Sequence, residues 1–384
     1  MDGITREHLA VRRTIFIVAS VLLAAATFAV RTPGSIAAVN SCRARDVTQN
    51  TAWNSDLQAV IRAALVGDVI VVKFVCVGNF KIAKPLTLIG KPTTDEPKAV
   101  LNGNGQGQVL VVSRANVTLE NFKITNGSAP GWHSGGGITT AARLQLYDTV
   151  VKGNVGAGIY NTGALTLNGS SLVSHNSAAG INNEYDPSVN GHSVTLNGTS
   201  SVAANIGFGI YNYGTTTMND ASSVTRNVTN GGYGVVNEAV FTMNGSSSVS
   251  DNIGSNSAIS NVGTFVMNGL STVSGNAATN SQGGGINNAS TGNMTMNDSS
   301  SVVGNASVRS GGGIQNNGIL TMNGSSIVTG NTADSDDNGV GGGGGIKLPC
   351  SGTLVGTVDG GNVNDNYRGT ASPVENNIAG PTCP

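Results

Sequence analysis

Charge is scarce in this chain. Only 11% of its 384 residues are Asp, Glu, Lys or Arg, and aromatic side chains make up 4%. A globular enzyme with several cores needs more aromatic volume and more surface charge than this. The two or three domains that the length alone suggests are therefore not expected. Disorder is not expected either, because disordered chains combine high net charge with few apolar residues. Here the formal net charge is −1 and 39% of residues are hydrophobic. A near-neutral chain also has no basic stripe of the kind nucleic acids require, which removes DNA and RNA as partners. The four cysteines show no Cys-x-x-Cys spacing, so thiolate metal ligation has no support.

Glycine, in contrast, supplies 55 positions. With abundant Asn, Ser and Thr, it fits a repetitive β structure clothed in small polar side chains. The N-terminus reads as an export signal. Arg6, Arg12 and Arg13 precede a mostly apolar run from Thr14 to Val30, and Ser35-Ile36-Ala37 offers a small-x-small cleavage site. Residues 1–38 are accordingly read as a signal peptide and 39–54 as a linker. The alternative is an uncleaved anchor, because 17 apolar residues sit at the lower end for a membrane span. Either way the chain is expected outside the cytoplasm, secreted or on the cell surface. Cys42, Cys76, Cys350 and Cys383 then meet an oxidising compartment. Four cysteines allow three pairings. Cys42–Cys76 with Cys350–Cys383 is favoured, because each bridge would staple one end of the array.

A recurring phrase dominates residues 127–370. One copy runs Gly158-Ile159-Tyr160-Asn161, Leu165-Thr166-Leu167-Asn168-Gly169-Ser170, Val173-Ser174-His175-Asn176, and near copies begin at Gly180, Gly209, Gly234, Ala258, Gly285 and Gly313. Weaker copies begin at Gly137 and Gly345, and successive starts are 21 to 32 residues apart. Gly and Asn interrupt every few residues, so no helix can be written through a copy. Each holds three short β-favouring segments that cannot bury a face alone, and stacking one coil on the next buries a continuous core. This predicts an all-β, single-stranded parallel β-helix of about a dozen coils.

The alternation in Leu165-Thr166-Leu167-Asn168 sends both leucines inward. The Leu167 slot becomes Leu196, Met218, Met243, Met267, Met296 and Met322 in later coils, and apolar stacking is the reading for this methionine row rather than copper chemistry. The last Asn of each phrase forms another column: Asn154, Asn176, Asn205, Asn227, Asn252, Asn276, Asn305, Asn331 and Asn366. It is read as a structural corner ladder, with each Asn at the left-handed backbone position of the turn. Thr166, Thr195, Thr217, Thr242, Thr295 and Thr321 form an outward column, which ordinary strand preference explains.

Residues 55–126 read differently. Ser55-Asp56-Leu57-Gln58 resembles a capping box. Leu57, Val60, Ile61, Ala64 and Leu65 recur at helical spacing until Gly67, predicting a short N-terminal helix of about three turns that caps the first coil. The segments Leu57–Ile61, Gly67-Asp68-Val69-Ile70, Lys84–Gly90, Asn102–Gly105 and Val117–Leu119 resemble the opening of pectin-lyase-like right-handed parallel β-helix proteins. Gly-Gly-Gly-Ile phrases at 135–138, 283–286, 311–314 and 343–346, with their Val-x-x-Asn partners, are similar to the repeats of polymorphic outer-membrane adhesins. The likeness spans roughly residues 51–370. It implies a right-handed helix but no single function, since the superfamily holds lyases, hydrolases and adhesins.

The phrases that lyases and polygalacturonases of that superfamily use are missing. No Arg-x-Pro-x-x-Arg segment occurs, and Asp336-Asp337 stands alone in a loop. With Asp334 it offers a weak calcium site, or simply a solvated acidic loop. Arg143, Arg226, Arg309 and Arg368 are scattered through different phrase positions, as are His133, His175 and His192. Trp132-His133 could contact sugar. No catalytic, cofactor-binding or metal-ligating residue is assigned. The expectation is an exported, monomeric, non-catalytic binding or adhesin-like protein with glycan partners. A polysaccharide lyase or hydrolase working in the groove is the alternative. Residues 371–384 are read as a C-terminal tail.

Overall fold

A strand of three to five residues can hide one face only against another strand like itself, and stacking of successive copies is what builds this molecule. The computed structural model describes residues 41–94, 96–131, 134–186, 191–229, 232–339, 341–348, 352–356, 363–364, 366–368 and 378–379. Three sheets of thirteen, twelve and twelve strands, plus a shorter fourth of six, form a parallel β-solenoid of about ten turns. One turn passes through sheet I (Ala164–Asn168), sheet II (Leu172–Ser174) and sheet III (Ile181–Asn183) before returning to sheet I (Ser193–Leu196). Sheet IV enters at Val228–Thr229, between sheets II and III, and recurs in later turns.

Register between turns shifts once, at Gly135–Ile138 where the strand Gly135–Thr140 meets Ala157–Asn161, and is regular along the sheet I column. Thr195 pairs with Thr217 and Thr217 with Thr242, which sets Leu196, Met218 and Met243 one above another. Met267, Met296 and Met322 continue that column, and every member is fully buried. The thioether row is therefore packing. Sheet II contributes a parallel valine column, including Val224, Val249, Val273 and Val302. Where sheet III begins, a glycine faces this valine: a Cβ on Gly209 would sit 2.6 Å from Val224 Cγ1 and 2.6 Å from the Gly234 carbonyl. That contact explains why the phrase opens with Gly.

The corner ladder contains all nine asparagines that the sequence aligns. Asn227 Nδ2 donates to Asn252 Oδ1 at 3.0 Å, and Asn252 Nδ2 to Asn276 Oδ1 at 3.0 Å; each backbone N–H also binds the next Oδ1. All nine are buried. One expectation needs correction, because from Asn154 to Asn331 the left-handed residue is the one before the Asn. His175 (φ 54°), Ala204 (54°), Arg226 (53°) and Asp251 (54°) occupy it, with glycine in other turns. The Asn itself is placed by its amide bonds, while the preceding residue makes the bend.

The inner serines of the sheet I to sheet II corner are a different matter. The buried hydroxyls of Ser222, Ser247, Ser271 and Ser300 find no hydrogen-bond partner. A buried, unsatisfied hydroxyl costs about 1–3 kcal/mol. Ser247→Ala is thus expected to raise stability by about 1 kcal/mol, read as an increased urea midpoint.

The chain leading into the first turn is built differently. Strand β1 (Arg43–Asp46) runs antiparallel to β2 (Val69–Lys73), and helix α1 (Leu57–Ala63) lies between them in the chain with Leu57, Val60 and Ile61 buried. The helix is shorter than its apolar spacing suggests. Its N-cap is Asp56, whose carboxylate accepts from Ala59 N at 3.0 Å, rather than the Ser55 hydroxyl. It ends at Ala64, where ψ turns to 148°. Cys42 and Cys76 form a disulfide across 34 residues of sequence, worth about 3–4 kcal/mol on loop-entropy grounds. The expected Cys350–Cys383 bridge lies outside the described residues.

At the end of β1 away from the disulfide two carboxyls are buried, Asp46 at 2% and Asp68 at 3% exposure. Asp46 Oδ1 accepts from the N–H groups of Thr48 and Gln49, while Oδ2 is buried without a donor. Burial and the neighbouring Asp68 raise the Asp46 pKa above its ordinary 3.8. Burial also pushes Asp68 upward, but the Leu65 N–H, the Gln49 amide, the Asp46 carboxyl and Lys84 outweigh it and lower its pKa. The folded pair thus holds one proton where the unfolded chain would release it. Asp46 stabilises at low pH, and its contribution is lost as pH rises from 3.8 through the folded value; Asp68 stabilises above 3.8 and loses its contribution as pH falls through its own. Asp46→Asn supplies a permanent N–H toward Asp68. Its melting temperature at pH 7 should exceed that of the wild type, and the advantage should vanish near pH 4. Equal melting at both pH values would contradict the shared proton.

Candidate functional site

Chemistry on a solenoid comes from outward slots, where unlike side chains of neighbouring turns meet at the strand spacing of about 4.8 Å. On sheet I the outward column is almost uniform. Thr166, Thr195, Thr217, Thr242, Thr295 and Thr321 are in register, with Val266 interrupting them. One hydroxyl type repeated along a flat face gives no converging set of groups.

Sheet III is different over four successive turns. Its outward column reads Tyr160, Asn182, Tyr211 and Val236. The first residue after each strand forms a second column. Glu184 N binds Asn161 O, Tyr213 N binds Asn183 O and Glu238 N binds Asn212 O, so Glu184, Tyr213 and Glu238 sit on consecutive rungs. Between sheets III and I an insertion of this turn adds Tyr185, Asp186 and His192.

The aromatic groups touch. Tyr211 and Tyr213 have ring centroids 5.0 Å apart and share a hydroxyl–hydroxyl hydrogen bond of 3.0 Å. Phe208 meets Tyr211 edge-on at 5.2 Å, and Tyr185 meets His192 edge-on at 5.6 Å. His192 Nε2 lies 3.2 Å from the Tyr213 carbonyl, joining the two pairs. Tyr185 is 61% exposed and Tyr213 36%. Asn182 Nδ2 donates to Glu184 Oε2 at 3.3 Å. Burial raises the Tyr160 pKa, and Glu184 and Asp186 add to the rise. Burial and the Tyr213 hydroxyl drive Tyr211 strongly upward, with Glu238 and Glu184 contributing. Both phenols therefore stay neutral donors.

The scaffold beneath is rigid. A second amide ladder, Asn161, Asn183, Asn212, Asn237, Asn261, Asn288 and Asn316, runs buried under this face, with Nδ2–Oδ1 distances of 2.7 Å to 2.9 Å. Exposed aromatic faces beside carboxylates and amides, on a fixed backbone, suit a ligand with apolar C–H faces and polar edges.

Comparison with protein-family models, curated proteins and solved structures gave no match. The parallel solenoid stands on its own geometry.

The residues singled out from sequence are not brought together. Asp334 is 2% exposed and spends its oxygens on backbone donors, Oδ1 accepting from Asn338 N at 3.0 Å and Oδ2 from Gly339 N at 3.1 Å. Asp336 accepts from the Asn338 side chain. The acidic segment is thereby a self-bonded loop, and no group of three metal-ligating side chains occurs among the described residues. Arg309 offers its carbonyl to Asp334 N. Arg143 lines a shallow depression on sheet I with Thr87, Thr118 and Gln145. His175 and Arg226 serve bends, as above. Trp132 and His133 lie outside the described residues, and nothing is described of the Arg368 side chain. Among the described residues no helix is long and apolar enough to cross a membrane.

Proposed function

We propose that this protein is an exported, non-catalytic right-handed β-helix that binds glycans through the tyrosine–carboxylate face of sheet III. The observation that carries this reading is the grouping of Tyr160, Tyr211, Tyr213, Glu184 and Glu238 within four successive turns, where the outward column of sheet I offers little but threonine. Helix α1 acts as the cap of the first turn, its buried face packed toward β1 and β2. The sequence likeness to adhesin repeats agrees with a secreted or cell-surface binder acting as a monomer.

The competing reading is a glycoside hydrolase. Glu184 and Glu238 lie two rungs apart, roughly 9.6 Å along the sheet, near the upper limit for an inverting carboxylate pair. Tyr213 occupies the rung between them, where an inverting pair requires room for water.

A glycan array, run beside a polysaccharide-degradation screen with reducing-end and unsaturated-product readouts, separates these. Binding without products is expected. Products would install Glu184 and Glu238 as the acid–base pair, and absence of both binding and products would remove the glycan reading.

A further inference from the structure

We infer that the sheet III face selects glycans bearing free amino groups, of the glucosamine type, over uronic-acid polymers. The inference rests on the glycan-binding reading above and adds the ligand's charge. Its first support is the balance of charge around the face. Between residues 153 and 384 the chain has four Lys or Arg and twelve Asp or Glu, a net of −8 against −1 for the whole. Between residues 153 and 308 Arg226 is the single Lys or Arg. It occupies the bend that follows sheet II, one residue before the buried ladder member Asn227, and so belongs to another corner of the turn.

A uronate chain laid on this face would bring a carboxylate at each sugar with no Lys or Arg to meet it. It would also approach Glu184, Asp186 and Glu238. Desolvating like charges against one another is unfavourable and discriminates sharply between ligands. An ammonium group meets the reverse situation.

The geometry is specific to a row of cations rather than to one. Glu184, Tyr213 and Glu238 are consecutive rungs, so two carboxylates flank an exposed aromatic ring. Protonated amines on different sugars of one chain would each meet one carboxylate through a charge-assisted hydrogen bond, with the ring face between them. Asp186 and the Glu184 carboxylate also stand near Tyr160, close enough to raise its pKa. The negative field therefore extends across the strands carrying Tyr160 and Tyr211.

Three soluble hexasaccharides of equal length test this by isothermal titration at low salt: hexaglucosamine, hexa-N-acetylglucosamine and hexagalacturonate. Hexaglucosamine should bind at least tenfold tighter than its acetylated counterpart, weaken as salt is raised, and lose about tenfold in Glu184→Gln with Glu238→Gln. Hexagalacturonate should not bind. These isosteric replacements lie on the outer surface and should leave the melting temperature unchanged. Equal or tighter binding of hexagalacturonate, or an undiminished double variant, would overturn the charge preference while leaving glycan binding intact. Failure of all three sugars, together with an empty glycan array, would reject the binding reading itself.

Discussion

Asn252→Ala is expected to cost about 4 kcal/mol, and Asn252→Asp more than that at pH 7. The Asn252 side chain donates to Asn276 Oδ1, Val224 O and Ser250 O, each at 3.0 Å, and accepts from Asn227 N and Asn227 Nδ2. Each lost bond removes about 0.5–1.5 kcal/mol, and the orphaned, buried Asn227 N–H adds about 1–3. Aspartate keeps the two accepting roles but turns an oxygen toward three oxygens, and burying a charge without a donor is costlier than leaving a gap. Protonation removes part of that penalty, so the Asp variant should approach the Ala variant near pH 4 and fall below it near pH 8. In a solenoid each turn is held mainly by its neighbours. The loss should appear as hydrogen-exchange deprotection centred on residues 223–278, together with a lower urea midpoint. Equal stabilities of Asp and Ala at neutral pH would contradict the ladder polarity.

The second large effect concerns binding. Tyr211→Ala with Tyr213→Ala should weaken oligosaccharide binding about a hundredfold, since each ring removed is worth about 1.4 kcal/mol. Stability should change little, because the rings lie on the outer face over a core that stays intact. Replacing both by Phe removes the 3.0 Å hydroxyl–hydroxyl bond but keeps the stacked faces. Phe variants should therefore retain most of the affinity. If Phe variants bind as poorly as Ala variants, the hydroxyls carry recognition and ring stacking does not.

The solenoid was legible because its determinants repeat. Stacking demands that one slot hold one kind of residue, so Leu167 through Met322 and Asn154 through Asn366 align by eye. The second ladder, from Asn161 to Asn316, ends the Gly-Ile phrase and was equally visible, yet its burial was not read from the sequence. The tyrosine–carboxylate face was harder. Its members differ from turn to turn, Tyr160, Tyr211, Tyr213 and Glu238 being 24 to 54 residues from Glu184, and a functional slot is recognised only by breaking the pattern that reveals the fold. The signal was there: Tyr160 and Tyr211 share the third position of the phrase, and Glu184, Tyr213 and Glu238 the fifth. The acidic loop drew notice through its local carboxylate density. Its backbone, with Asp334 at φ 51° and Asp337 at φ 57°, turns those oxygens onto the loop's own N–H groups. The length of α1 was misjudged because apolar spacing continues past Ala64, while Leu65 and Val66 are 60% and 72% exposed in the turn toward β2.

The central claim is that a glycan lies on sheet III across these turns. Hydrogen exchange of the protein with and without saturating hexaglucosamine addresses it directly. The account predicts added protection in 181–186, 209–214 and 236–239, with sheet I strands and residues 334–339 unchanged. Protection confined to the threonine face of sheet I, or to the loop at 334–339, would contradict it.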